Sequence, residues 1–101
     1  MQEWTKKDIL EAIKKKESPI LYFYTPLCGT CRVAGRMLDI IEEMNGKTIY
    51  KADLNYIPEI AELFKIESVP CLLILNRGAV SRKIYAFRSI PYLVEILKEY
   101  G

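Results

Sequence analysis

Two of the chain's three cysteines stand in "LYFYTPLCGTCRVAGRML" as Cys28-Gly29-Thr30-Cys31, spaced C-x-x-C. Thiols at this spacing hold half of a metal site, close a short staple, or exchange with a disulfide. The staple is the weakest of these, because closing so short a loop removes little entropy from the unfolded chain. A metal site needs more donors. The chain has no histidine and one further cysteine, Cys71, so a fourth ligand would have to be a carboxylate or water. Exchange chemistry needs only a thiolate and a second thiol within reach, and it is the preferred reading here.

A helix starting near Cys28 would supply that thiolate. Its first N–H groups lack intrahelical partners and carry the positive end of the dipole, which favours sulfur as an anion. Lowering a cysteine pKa from ~8.5 to about 7 takes roughly 2 kcal/mol and raises the thiolate fraction at neutral pH from about 3% to about half. Cys31 falls one turn later on the same face, placed to attack a mixed disulfide formed at Cys28. Gly29 keeps the approach open, and β-branched Thr30 stiffens the small ring.

The flanking pattern predicts the elements that hold this pair. Thr5 and Asp8 read as a capping box, with Trp4 and Ile9 as its hydrophobic staple, before a helix bearing Ile9, Leu10 and Ile13. Ser18-Pro19 ends that helix, and Ile20 to Tyr24 reads as a strand buried on both faces. Val33, Met37, Ile40, Ile41 and Met44 recur at helical spacing up to Asn45-Gly46. Strands follow over Thr48 to Asp53, Cys71 to Leu75 and Val80 to Phe87, the last two joined by a turn at Asn76-Arg77-Gly78. A short helix spans Pro58 to Lys65, and Ser89 caps a final one carrying Leu93, Ile96 and Leu97. Strands alternating with helices imply a parallel sheet covered on both faces, with the hairpin as an antiparallel edge. The cysteines sit at a strand's carboxyl end, where open α/β sheets place their sites.

Composition sets the outer bounds. A chain of 101 residues, half of them hydrophobic, is one domain (1–101) around a single core. A net charge of +2 is too small to argue for nucleic acid, and Lys14 to Lys16 read as a solvated helix end. The apolar runs are far short of the roughly 20 residues a membrane span needs, and the first residues lack the apolar core of a signal peptide. The expected location is the cytoplasm, where thiols are mostly kept reduced, and the expected state is a monomer.

On these residues the sequence resembles the thioredoxin family. The resemblance runs from Pro19 to Tyr100 and is carried by "YFYTPLCGTC", "YKADLN" and "IESVPCLLILNRG". It implies a thioredoxin fold of class α/β: a central mixed sheet of about four strands, helices on both faces, and the family's first strand missing. It further implies that Pro70 after Val69 is the cis-proline that packs opposite the redox pair and helps bind extended substrate peptides. Substrate contacts would then come from Leu27, Gly29, Thr30, Val69 and Pro70.

The departures from the family pattern are equally specific. Tyr22 stands where thioredoxins usually carry a buried aspartate thought to accept the second cysteine's proton. A phenol with a pKa near 10 cannot do so at neutral pH. The lysine that usually accompanies the aspartate is matched by Lys51. Leu27 replaces a tryptophan, which implies a flatter groove, and Arg36 replaces a helix-kinking proline. Cys71 follows Pro70 where threonine is more common, so in the inferred fold it lies near the pair; it reads as a redox modulator or as a small buried hydrophobe.

The resemblance implies a thiol-disulfide oxidoreductase that reduces protein disulfides through Cys28 as nucleophile and Cys31 as resolving thiol. Its electrons would come from a flavin- and NADPH-dependent thioredoxin reductase, and the domain itself would hold no cofactor. The alternatives are a non-catalytic binding or redox-sensing adaptor on the same fold, and a metal-binding domain using Cys28, Cys31 and Cys71.

Overall fold

A computed structural model describes residues 1–100. Gly101, the last residue of the expected domain, lies outside the described residues.

The opening turn forms as its sequence dictates. Thr5 caps helix α1 (Lys6–Lys14), with Asp8 N–H donating to its hydroxyl at 3.3 Å and its own N–H donating to the Asp8 carboxylate at 2.8 Å. Trp4 does share a core cluster with Ile9, but its flat contact is with Tyr50, ring to ring at 4.0 Å. Strand β2 (Ile20–Tyr24) is the sheet's centre. Ile20 and Tyr22 turn to one face, and Leu21 and Phe23 to the other, so the run has no polar alternation to show.

Among the described residues the sheet has five strands in the order β1-β3-β2-β4-β5, with β1 at Gln2–Glu3, β3 at Ile49–Asp53, β4 at Cys71–Asn76 and β5 at Ala79–Ile84. The expectation of about four strands with the first one missing is therefore corrected. β1 leaves no pattern in the sequence because it is only two exposed polar residues, held by parallel pairing to Tyr50 and Lys51 rather than by a hydrophobic face. The antiparallel part is also larger than an edge. Both β4 and β5 belong to it, since β4 runs antiparallel to the central β2. Helix α3 (Pro58–Leu63) has six residues and is about 9 Å long, too short to carry the chain back down the sheet for another parallel strand. β4 accordingly starts at the end of the sheet where β3 finishes, the end that holds the cysteines.

Helix α2 (Gly29–Asn45) is continuous through Gly35 and Arg36, and Gly46 closes it in the left-handed region at φ 66°. Its buried stripe is Cys31, Ala34, Leu38 and Ile41, while Val33, Ile40 and Met44 from the expected stripe are exposed. The helix is rolled so that Cys31 faces inward. With α4 (Ile90–Leu97) it covers one face of the sheet; α1 and α3 cover the other. Ser89 caps α4, accepting from Tyr92 N–H at 3.2 Å, and Leu93, Ile96 and Leu97 are buried as the sequence implied. β5 stops at Ile84, leaving Phe87 and Arg88 in a loop beside α2's first turns.

Candidate active site

Cys28 is the cap residue of α2. Its backbone is extended (φ −93°, ψ 110°), and its sulfur accepts the Cys31 backbone N–H at 3.1 Å, in the place a serine or aspartate oxygen takes at other helices. The Thr30 hydroxyl lies 3.3 Å from the same sulfur. Both contacts are donors available to a thiolate, and the first turn of α2 holds no acidic side chain to oppose one. Cys31 sits one turn on and is buried, its sulfur bonded to that of Cys28. The outer cysteine is partly open to solvent and the inner one closed off. That asymmetry suits a pair in which one thiol meets the substrate and the other waits.

Val69–Pro70 is a cis peptide bond. Pro70 lies across a groove from Thr30, with Val33, Met37, Phe87 and Arg88 also lining a hollow of about 420 Å3. Val69 itself packs against the α1/α3 core. Leu27, beside Cys28, is 97% exposed. At Gly29 a Cβ would meet nothing within 4 Å, so the fold does not need glycine there; any narrowing would be felt only from the solvent side.

Tyr22 is buried behind Cys31, and its hydroxyl donates to the Cys31 backbone carbonyl at 2.5 Å. Burial, followed by the nearby Asp39 carboxylate, pushes this phenol up to about 12. It is therefore a neutral donor that pins the Cys31 backbone. A second hollow of about 240 Å3 opens here, lined by Tyr22 and Cys31 together with Arg32, Arg36, Asp39 and Lys51. Lys51 also sits over the Tyr24 ring at 5.8 Å.

Cys71 is not brought together with the pair. It begins β4 opposite Phe23, and its side chain points into the α1/α3 core, away from the α2 face. It is fully buried, and burial pushes its thiol up to about 11 even though Lys83 and Tyr85 pull the other way. Adjacency to Pro70 in sequence misleads here because successive strand residues point to opposite faces. Among the described residues no three Cys, His, Asp or Glu side chains cluster closely enough to hold a metal ion, so the three cysteines do not assemble a site.

Sequence reasoning gave no site role to Met37, Phe87, Arg32 or Arg88. Met37 and Phe87 were legible only as core positions. Arg88 carried one local signal, its place just ahead of the Ser89 cap, and its left-handed backbone (φ 55°) is set by that loop.

A thiol pair capping a helix at the end of a mixed sheet, faced by a cis-proline, defines a thioredoxin-fold redox module. A thioredoxin family model matches residues 1–99, and the chain belongs to the thioredoxin family. It is 43% identical over 81 residues to the thioredoxin-like protein YusE of Bacillus subtilis (strain 168), covering 79% of this chain and 76% of that one. A thioredoxin of Listeria monocytogenes is 31% identical over 100 residues, covering 93% and 97%. In fold the chain is similar to a single-site mutant thioredoxin from Halobacterium salinarum NRC-1, with a TM-score of 0.83 at 15% identity over 98% of this chain and 88% of that one. No helix among the described residues is long and apolar enough to cross a membrane.

Proposed function

We propose that this protein reduces disulfides in other proteins. The observation that carries the reading is the Cys28 sulfur seated as the cap of α2, bonded to a buried Cys31. In the reduced protein the Cys28 thiolate attacks one sulfur of a substrate disulfide. A Cys28–substrate disulfide forms, and the other substrate sulfur leaves as a thiolate that takes a proton from water. Cys31 then loses its proton, and its thiolate attacks the Cys28 sulfur. The second substrate thiolate departs, and Cys28 and Cys31 are left bonded. Two electrons pass from the protein to the substrate.

Leu27, Gly29, Thr30 and the Val69-Pro70 segment receive the substrate backbone in this scheme. Tyr22 is a positioning residue: it holds the Cys31 carbonyl and cannot take the Cys31 proton. That proton leaves to water through the hollow bordered by Asp39 and Lys51. A flavin- and NADPH-dependent thioredoxin reductase returns the electrons, as expected for the family, and the domain works as a cytoplasmic monomer without a bound cofactor.

Turbidity of insulin on reduction by dithiothreitol tests the proposal. The parent protein should accelerate precipitation and Cys28→Ser should not. A parent no faster than dithiothreitol alone ends the reading and leaves the adaptor alternative. In Tyr22→Asp a base is restored behind Cys31, so a mixed disulfide trapped at Cys28 should be released faster than in the parent.

A further inference from the structure

We infer that the surface around the redox pair selects disulfides whose flanking residues are acidic, carried in an extended segment that is otherwise apolar; this rests on the disulfide-reducing reading above. Hollows lie on both sides of α2's first turns, and their charge is one-sided. The groove beside Pro70 is apolar along Val33, Met37 and Phe87, and its charged residue is Arg88, whose guanidinium lies over the Tyr92 ring at 5.2 Å. The hollow behind Cys31 is bordered by Arg32, Arg36 and Lys51. Its carboxylate, Asp39, is engaged at 3.2 Å by the Met1 amine.

Among the described residues the ion pairs involve none of Arg32, Arg36, Lys51 or Arg88. Elsewhere Lys6 pairs with Glu59, Lys15 with Glu11 and Lys98 with Glu95, while other lysines such as Lys14 and Lys47 also have no described ion pair. It is the placement of Arg32, Arg36, Lys51 and Arg88 around the two hollows that sets them apart. Four cations with no described ion pair therefore border the two hollows beside the helix end that carries the Cys28 sulfur. The dipole of α2 adds to the same sign. Leu27, 97% exposed, and Val33, 62% exposed, put apolar surface between these charges.

A ligand complementary to this surface places carboxylates toward the arginines and apolar side chains on Leu27, Val33 and the groove. Charges arranged in this way act mainly on encounter and orientation, and they weaken as salt screens them. The electron balance of the exchange is unchanged; only the choice of disulfide is affected.

The test is kcat/KM for three cyclic disulfide peptides of equal ring size, with aspartate, serine or lysine beside the cysteines. At low ionic strength the aspartate peptide should exceed the lysine peptide by about tenfold, shrinking to about twofold in about 0.5 M salt. Arg88→Glu combined with Arg36→Glu should invert that order, whereas a merely structural defect would lower all three peptides together. Equal values for the three peptides, or a preference that neither salt nor charge reversal moves, overturns the inference while leaving disulfide reduction intact. Failure to reduce any of them overturns both.

Discussion

Cys28 and Cys71 carry the same functional group at the same end of the sheet, in opposite surroundings. Cys28 is partly exposed, and its sulfur takes the Cys31 N–H and lies against the Thr30 hydroxyl at a helix start. Cys71 is sealed beneath α1 and α3, where burial pushes its thiol up to about 11. The difference teaches that the surroundings, and not the residue type, decide whether a sulfur meets solvent and hydrogen-bond donors.

The largest effect should be the contrast in labelling. In the reduced protein at neutral pH, iodoacetamide should modify Cys28 at least about 1,000-fold faster than Cys71, because a thiol at about 11 is only ~0.01% thiolate. In urea the two rates should converge. Mass spectrometry of the labelled peptides reads both, and comparable native rates would break the comparison.

Tyr22→Phe sharpens it from the inner side of the pair. Losing the bond to the Cys31 carbonyl should lower stability by about 1–2 kcal/mol at neutral pH, measured by urea unfolding. The pH dependence has a definite sign. The folded phenol stands at about 12 against an ordinary 10.0, so its protonated form is favoured by folding. Its contribution is fully present below pH 10 and is lost as pH rises through about 12. The parent should lose stability across that interval, and the phenylalanine variant should lack this part of the slope.

Thr30→Val removes a donor from the outer sulfur. Alkylation of Cys28 should slow at neutral pH, and the pH profile of that alkylation should move toward higher pH, because the thiolate loses a donor. The smallest effect belongs to Gly29→Ala. With open space at its Cβ, alanine should raise stability by about 0.4–1 kcal/mol, read from the midpoint of thermal unfolding. A fall in kcat/KM in that variant would then report a substrate passing over position 29.

Much of the cysteine pair's setting is legible in the sequence. The C-x-x-C spacing, the strand ahead of it and the apolar periodicity after it are local patterns, and local backbone chemistry made them into a strand, a capped helix and a bonded pair. The Thr5–Asp8 box and the Ser89 cap were readable for the same reason. What could not be read were features without a local pattern: two polar residues recruited as β1, the roll of α2 that favours Ala34 and Leu38 over Val33 and Ile40, and the face to which Cys71 turns.

By itself, then, the sequence determined which two sulfurs lie close enough to bond and which segments carry them, because spacing along one helix and caps at its ends are fixed within a few residues. Only the tertiary structure decided that Cys71 stands apart, that Tyr22 holds a carbonyl, and that Arg32, Arg36, Lys51 and Arg88 gather around one helix end. Those outcomes depend on sheet order and on which face each strand residue takes, and they are set by packing between segments far apart in the chain.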